Sequence, residues 1–216
     1  MTSLPPTSTA ARRRREPVQE RSRLTVTRIL DAAAELIDES GVEAAGTRAV
    51  ADRAGVAYPS LYRFFADREE ILDRLLERHV AELDARVTAA ESRWQITSAE
   101  DLINRELDLH IAYYEEHPSS ARLWLSGRSS PTVVEHVRRR NRALAERMRN
   151  VLIAERIIAA ETDPVVLVLV VELGDRILDL AFRDRATADP AIVALGRIAL
   201  SAYARDALVT SETSRA

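Results

Sequence analysis

The chain has 216 residues, with 31 basic against 34 acidic side chains, so its formal net charge is −3, and 46% of its residues are hydrophobic. This globular composition excludes a chain that is disordered throughout. The absence of cysteine excludes disulfides, thiolate metal sites and a cysteine nucleophile. Only 6 Gly and 8 Pro are present, too few turn residues for an all-β fold, so we predict an all-α protein.

Hydrophobic residues do not form a membrane-spanning run. The longest apolar stretch, residues 165–171, is far shorter than the roughly 18 residues that such a helix requires, so we expect it in a buried helix. The arginines at residues 12–15 are followed by no apolar stretch, which argues against a secretory signal. The sequence therefore predicts a cytoplasmic protein without a membrane partner.

Residues 1–21 are rich in Pro, Ser and Thr and then in Arg, with almost no large apolar side chains, and this predicts a disordered basic arm. The arm is either a solvated tail or a segment that neutralises phosphates and enters a minor groove. Residues 1–68 hold 11 Arg and 9 acidic residues, whereas residues 69–216 hold 20 Arg and 25 acidic residues. Any contact with nucleic acid is therefore expected near the N-terminus.

The apolar spacing predicts a first helix over residues 24–40, ended by Gly41. A second, short helix is expected to begin at Thr47 as its N-cap and to end at Gly55. A third short helix is expected over residues 57–65. Two short helices joined by a tight glycine turn, behind an amphipathic helix, are typical of a helix-turn-helix.

Asp67 and Glu70 form the pattern of a capping box and predict the start of a fourth helix. Beyond it, each of four prolines stands at or just before a new helix, where its missing N–H does no harm. The helices of this larger region are expected over residues 98–116, 119–128, 131–160, 164–185 and 189–209.

Residues 46–72, GTRAVADRAGVAYPSLYRFFADREEIL, resemble the TetR family of transcriptional regulators, and residues 29–41 resemble its first helix. The resemblance implies a helix-turn-helix DNA-binding domain over residues 22–85, with the motif at about 46–65. An effector-binding and dimerisation domain is then implied over residues 86–216. The implied fold has about nine helices, and the implied partners are an operator in double-stranded DNA, a second copy and a small-molecule effector. No cofactor and no catalytic residue are implied.

Carried over by position, the resemblance implies that α-helical and turn residues of this motif contact DNA. Thr47 would contact a phosphate, and Arg68 would act as a basic phosphate clamp. Tyr58 and Pro59 replace the small residues of many relatives, and Phe64 stands where His or Tyr is frequent. The full implied set is Thr47, Arg48, Tyr58, Pro59, Ser60, Tyr62, Arg63, Phe64 and Arg68.

The last two predicted helices carry many apolar and small residues, which let helices approach closely. In the family such a pair makes a four-helix interface between two subunits, and an internal core pair in a monomer is the alternative. The residues predicted for the interface are Leu173, Ile177, Ala181, Leu195, Ala199 and Ala202.

Aromatic and polar residues of the middle helices are candidates for an effector pocket, because mixed aromatic walls suit a small, largely apolar ligand. The candidates are His110, Tyr113, Tyr114 and Trp124, with Trp94 as a further one. Plain core packing is the alternative for each. Glu106 and His110 are four residues apart, which fits either a metal site or a hydrogen bond within one helix.

These patterns favour a DNA-binding regulator, a repressor that a small apolar effector releases. A helical enzyme is a second hypothesis, although the sequence shows no nucleophile elbow, phosphate loop or H-x-x-x-H pair. A helical protein–protein adaptor is a third. We therefore expect no enzymatic activity and no bound metal.

Overall fold

The computed structural model describes residues 9–126, 131–183 and 185–208. These residues are all-α, as predicted, and contain no β-strand. A 3₁₀ turn, Val42–Ala44, follows α1, and a π-helical turn, Arg122–Ser126, follows α6. The nine α-helices of the described residues are α1 (Thr9–Ser40), α2 (Thr47–Ala54), α3 (Tyr58–Leu61), α4 (Arg68–Glu91), α5 (Ala99–Glu116), α6 (Pro118–Ala121), α7 (Pro131–Ala154), α8 (Pro164–Phe182) and α9 (Pro190–Ala207).

The chain separates into two compact units, Met1–Leu75 and Leu76–Ala216. The sequence predicts this boundary ten residues later, after residue 85. Both positions lie inside α4, so α4 contributes residues to each unit.

Helix α1 begins at Thr9, well before the predicted start. The disordered arm predicted for residues 1–21 is therefore contradicted from residue 9 onward, while residues 1–8 lie outside the described part of the chain. Ala, Arg, Gln and Glu dominate this segment and are good helix formers, and extending an existing helix costs less than starting one. The side chains before residue 20 also lie outside the description, so both interpretations of the arginines stay predictions.

The core of the first unit is built from the apolar stripe of α1. Ile29, Ala33 and Ile37 are completely buried, as their spacing predicts. Gly41 then ends the helix with φ +85° and donates its N–H to the Ile37 carbonyl at 2.8 Å. A residue with a side chain rarely adopts this backbone angle.

Helix α2 has the predicted length, but Thr47 is not its N-cap. Gly46 takes that position, with the extended backbone that an N-cap requires, and no side chain caps the helix. At the other end Gly55 adopts the left-handed conformation, φ +61°, as predicted. The guanidinium of Arg28 on α1 donates to the carbonyls of Ala54 and Gly55, which fixes the turn against the first helix.

Helix α3 is shorter than predicted, because only Tyr58–Leu61 are α-helical and the next three residues form turns. The amide of Phe64 donates to the Leu61 carbonyl, three residues back, so the backbone tightens after the first turn. Leu61 and Phe65 are both buried. Packing of these two side chains, rather than helix propensity, decides the path of the backbone between them.

The second unit is an all-helical core, and its predicted helix starts are confirmed. The side chains of Ser98, Asp163 and Asp189 accept hydrogen bonds from the first amides of α5, α8 and α9. The C-terminal ends of the helices differ more from their predicted positions. Helix α7 stops at Ala154, not at residue 160, because Arg156 adopts φ +59° and cannot continue a right-handed helix.

The helix predicted over residues 119–128 divides into α6 and the π-helical turn, and residues 127–130 lie outside the described part of the chain. Helix α8 buries one face along its length. Among the helices that the structure describes, each is either too short or too polar to cross a lipid bilayer.

Candidate functional site

Two tyrosines stand on the outer side of the helix-turn-helix. Tyr58 is 38% exposed and Tyr62 is 46% exposed. Their hydroxyls are 2.8 Å apart and their rings meet edge to face, with centroids separated by 5.2 Å. The Thr47 hydroxyl lies 3.5 Å from that of Tyr58, so three hydroxyl groups from α2 and the α3 region form one exposed cluster.

Arg48 adds positive charge to this cluster. Its guanidinium lies 5.6 Å from the centre of the Tyr58 ring, within the range of a cation–π contact. Hydrogen bonds from Thr47 and Tyr62, together with the charge of Arg48, lower the pKa of the Tyr58 phenol. We call Thr47, Arg48, Tyr58 and Tyr62 the hydroxyl–arginine cluster.

The other predicted contacts flank this cluster. Pro59 and Arg63 are exposed, whereas Ser60 and Phe64 are half-buried. Their individual contacts with DNA stay predictions. An exposed arginine beside hydroxyl groups is the chemistry that reads base edges and phosphates in a major groove.

Arg68, the predicted phosphate clamp, already has partners within the first unit. Its Nη2 donates to the Val42 carbonyl at 2.8 Å and lies 3.3 Å from the Glu43 carboxylate. A phosphate at this position would have to compete with Glu43. The capping box nearby is confirmed in part, because Asp67 accepts from the Glu70 amide, while the Glu70 side chain accepts from Ala66 instead of Asp67.

The second unit contains a pocket between α5, α7, α8 and α9. The space between its atoms, mouth included, is about 440 Å³. Most of its wall is apolar, and these side chains are not predicted from the sequence, because aliphatic periodicity alone does not tell which helices enclose a cavity. The apolar wall consists of Ile103, Leu107, Leu144, Met148, Val170, Val171, Leu178 and Leu200.

Of the residues predicted for the pocket, His110 lines it, but Tyr113, Tyr114 and Trp124 do not. Tyr113 is in the core, where its hydroxyl donates to Glu82 at 3.0 Å. Tyr114 is also buried and meets Phe182 edge to face. Aromatic residues satisfy core packing and pocket lining equally well, so the sequence could not separate these two roles.

Trp124 and Trp94 lie behind or outside the pocket wall. The indole N–H of Trp124 donates to Asp175 at 2.8 Å, and it is the Asp175 side chain that lines the pocket. Trp94 is half-buried and stands 6.0 Å from the guanidinium of Arg105. Trp124 therefore positions a pocket residue instead of forming the wall.

His110 is the centre of a buried polar group in the pocket. Its Nδ1 lies 2.7 Å from the backbone carbonyl of Glu106, the hydrogen bond within one helix that was the alternative to a metal site. Its Nε2 accepts from Arg140 at 2.8 Å. Burial, with the charge of Arg140 as a smaller cause, lowers the pKa of His110 to about 3, so the imidazole is neutral at pH 7.

Glu106 is the most unusual group of the pocket wall. Burial and the nearby negative charge of Glu91 raise its pKa to about 8, while Arg147 and Arg140 act in the opposite direction. Glu106 is only 5% exposed. Its carboxyl group is therefore mostly protonated at neutral pH.

The substitution Glu106→Gln is expected to stabilise the protein at pH 8 by about 4 kcal/mol, with the gain falling to about 1 kcal/mol at pH 5 and vanishing below about pH 4. The folded state holds a proton that the unfolded state, with a Glu pKa near 4.3, releases, so the wild type loses stability as the pH rises to about 8. Glutamine has no proton to lose. Denaturant unfolding of both proteins from pH 5 to pH 8 measures the difference in their free energies of unfolding. The histidines are the same in both proteins, so their contributions cancel in this difference. A difference independent of pH would contradict the raised pKa.

Several large apolar side chains of α8 and α9 are exposed. Leu173 is 45% exposed, Leu195 is 68% and Ile198 is 66% exposed, and Ala199 and Ala202 are exposed as well. The full exposed apolar set of these two helices includes Val165, Leu169 and Leu180.

Two residues of the predicted interface instead pack within the subunit. Ala181 is 1% exposed and belongs to the subunit's own core, which contradicts its prediction. Ile177 is half-buried against Gly196, where an added Cβ would lie only 2.5 Å from its side chain. The close approach of α8 and α9 within one subunit explains why a glycine stands at this position.

Known regulatory proteins resemble the first unit in sequence. The family model described as bacterial regulatory proteins, tetR family, matches residues 29–75. The repressor KstR of Mycobacterium tuberculosis is 44% identical over 59 residues, which are 27% of this chain and 27% of KstR. The class A tetracycline repressor of Escherichia coli is 37% identical over 68 residues, 31% of this chain and 32% of the repressor. The matches thus span about a quarter to a third of these relatives.

Solved structures extend the likeness to most of the chain. A TetR-family transcriptional regulator from Streptomyces coelicolor is 29% identical, with a TM-score of 0.64, over 85% of this chain and 99% of that one. FadR of Bacillus subtilis, solved with stearoyl-CoA, shares the fold at 19% identity, with a TM-score of 0.66, over 82% and 96% of the two chains. Residues 29–75 thus match the TetR family of bacterial regulatory proteins, and most of the chain shares the fold of a solved TetR-family regulator.

Proposed function

We propose that this protein is a dimeric transcriptional repressor that binds operator DNA through its helix-turn-helix and is released by a small, largely apolar effector. The observation that carries the proposal is the hydroxyl–arginine cluster, which is exposed on the outer side of the motif. Such a regulator would act in the cytoplasm, where its operator lies.

The proposed DNA contacts follow from the chemistry of the cluster. Arg48 supplies a planar, permanently charged donor, and Tyr62 supplies a hydroxyl with its aromatic ring held in place by Tyr58. The hydrogen bond between the two hydroxyls already restricts both side chains in the free protein. Less conformational entropy is therefore lost when DNA binds. This preorganised surface suits a base edge with neighbouring phosphates.

Dimerisation is proposed because one helix-turn-helix buries too little surface for specific binding, so such proteins read paired half-sites. The exposed apolar side chains of α8 and α9 would meet the same helices of a second copy. Leu195 and Ile198 are the most exposed of these side chains and would lie near the centre of the contact. A two-fold symmetric pairing presents the same residues from both subunits.

Effector release is proposed as a coupling between the pocket and the DNA surface. The pocket wall is predominantly apolar with a few polar groups, the composition of a small-molecule site. Helix α4 contributes residues to both units, so a ligand that shifts α4 would change the spacing of the two recognition helices in a dimer. The effector would then lower DNA affinity, and by linkage DNA would lower effector affinity.

The two alternatives receive less support. The relatives that match the first unit are transcriptional regulators, not enzymes. A protein–protein adaptor has no need of an exposed arginine beside two hydroxyls at the third helix of the motif.

Arg48→Ala is expected to weaken binding to the DNA upstream of the protein's own gene by at least tenfold. The substitution removes one arginine contact from each half-site, and each such contact is worth about 1–3 kcal/mol. The measurement is fluorescence polarisation with labelled duplex at fixed salt.

Arg53→Ala is the matched control, because Arg53 lies on the same helix but pairs with Glu35 and Glu39 of α1. Exposed ion pairs of this kind contribute little to stability, so the variant is expected to fold and to bind DNA like the wild type. Equal affinities for Arg48→Ala and the wild type, or equal losses in both variants, would count against the proposed surface.

A further inference from the structure

We propose that the ligand of the pocket between α5, α7, α8 and α9 is an apolar molecule with one uncharged hydroxyl, and that Glu106 binds that hydroxyl. The inference rests on the proposed function, in which this pocket is the effector site. It adds the chemical class of the effector and the residue that selects it.

The carboxyl group of Glu106 is buried without a hydrogen-bond donor. Neither of its oxygens has a hydrogen-bond partner, although the residue is 95% buried and lines the pocket. The nearest imidazole nitrogen, Nδ1 of His110, is 3.7 Å from Oε2 and is already engaged with the backbone carbonyl of Glu106. Native proteins rarely leave such a group unsatisfied, so an orphaned acceptor on a pocket wall indicates a missing donor from a ligand.

Protonation of Glu106 does not remove the need for a hydrogen-bond donor from a ligand. In its acid form the carboxyl group can donate to Glu91, the last residue of α4, and one of its oxygens is still without a donor. Burial and the charge of Glu91 favour this acid form at neutral pH. The ligand must therefore supply an N–H or O–H, and an ether or a ketone would leave the oxygen unsatisfied.

The charges that face Glu106 are already compensated, which favours a neutral donor. They come from α4 and α7, where Arg147 donates to Glu91 at 3.0 Å and Arg140 lies 3.5 Å from Asp84. Nη2 of Arg147 and Nε of Arg140 make no hydrogen bond themselves, but the charge of each guanidinium has a carboxylate beside it. His110, on the same helix as Glu106, is neutral. An anionic ligand would meet no arginine without an acidic neighbour.

A cationic ligand has no better position in the pocket. The second carboxylate of the wall, Asp175, already accepts from the Trp124 indole at 2.8 Å and from the Asn141 amide at 3.3 Å. Glu106 itself carries little negative charge at neutral pH. The rest of the wall is mostly aliphatic, so the body of the ligand is expected to be apolar.

The test uses three eight-carbon probes and the full-length protein at pH 7. The probes are 1-octanol, its isomer heptyl methyl ether, which has no donor, and octanoate, which is anionic. Isothermal titration calorimetry measures each affinity. Because the alcohol and the ether have the same composition, their difference isolates the hydroxyl. The wild type is expected to bind 1-octanol about fivefold more tightly than the ether, the effect of one net hydrogen bond.

Three variants assign this preference to one side chain. Glu106→Leu is expected to bind the alcohol and the ether equally, because it has no acceptor. Glu106→Gln keeps an acceptor oxygen in the same shape and is expected to retain the preference, which separates loss of recognition from loss of folding. Glu100→Gln, at an exposed position of the same helix, is the matched control and should behave like the wild type. Circular dichroism melts accompany each variant.

Equal binding of the alcohol and the ether by the wild type, tighter binding of octanoate, or no binding of any probe would overturn the inference. A preference that survives in Glu106→Leu would overturn it as well. A DNA titration with and without 1-octanol keeps the two proposals distinct. If the protein prefers the alcohol but 1-octanol leaves DNA affinity unchanged, Glu106 is supported as the selecting residue and effector release is contradicted. If the protein binds DNA but does not prefer the alcohol over the ether, only the Glu106 inference is overturned.

Discussion

Leu195→Glu is expected to convert the protein from a dimer into a monomer and to lower operator affinity by at least a hundredfold. Leu195 is the most exposed large apolar side chain of α9, at 68%. In a two-fold interface the substitution would place two unpaired carboxylates in contact with apolar surface, and an uncompensated buried charge costs about 3–5 kcal/mol. Size-exclusion chromatography with light scattering measures the mass, and fluorescence polarisation measures the affinity.

Ala143→Glu is the matched control for this prediction. Ala143 is exposed on α7, outside the two helices proposed to pair, so an added carboxylate there should leave both mass and affinity unchanged. A Leu195→Glu protein that is still dimeric, or a wild type that is monomeric at micromolar concentration, would contradict pairing through α8 and α9. A monomer that binds DNA as tightly as the wild type would contradict the need for two half-sites.

Tyr62→Ala is expected to weaken operator binding about a hundredfold without unfolding the helix-turn-helix. The substitution removes the ring and the hydroxyl of Tyr62 from both half-sites. We expect a loss of about 1.5 kcal/mol of binding free energy per half-site, or about 3 kcal/mol for the dimer. The fold should persist, because Leu61 and Phe65, which flank this turn, are the buried side chains. Polarisation titrations give the affinities, and circular dichroism melts check the fold.

Tyr62→Phe separates the two contributions of this side chain. It keeps the edge-to-face contact with Tyr58 but loses the hydrogen bond between the two hydroxyls. We expect an affinity between those of the wild type and Tyr62→Ala. If Tyr62→Ala bound DNA like the wild type, Tyr62 would be only a packed aromatic residue with an exposed tip.

Local side-chain signals predicted the helix starts well. Ser98 and Asp189 bond to amides within three residues of themselves, so the sequence alone contains the whole interaction. The same holds for Gly41 and Gly55, whose positive φ angles mark the ends of α1 and α2. These features are local, and no knowledge of the tertiary fold is needed to place them.

Positions decided by a neighbouring residue or by packing were harder to predict. Thr47 is a good N-cap by type, but Gly46 precedes it with the required extended backbone, and Thr47 instead approaches Tyr58. The segment before residue 21 has almost no large apolar side chains, yet its backbone is helical from Thr9. Apolar periodicity finds only helices that pack, whereas a helix can extend past its packed part.

The residues that line the pocket could not be predicted from the sequence. Its wall joins residues from α5 and α7–α9, and their proximity is a tertiary property. The small side chain of Ala181 predicts an interface position, but its place on α8 puts it in the subunit core. The sequence shows only the spacing of Glu106 to His110, because the burial of Glu106 and the lack of a hydrogen-bond donor to it are visible only in the fold.

Selection of genomic DNA fragments by the purified protein is a direct test of DNA recognition by the hydroxyl–arginine cluster. Sheared DNA of the source organism is incubated with the wild type or with Tyr62→Ala, and the bound fragments are sequenced. We expect the wild type to enrich fragments that share a short inverted repeat, and Tyr62→Ala to lose this enrichment. The absence of a shared sequence, or the same enrichment with both proteins, would contradict DNA recognition by the hydroxyl–arginine cluster.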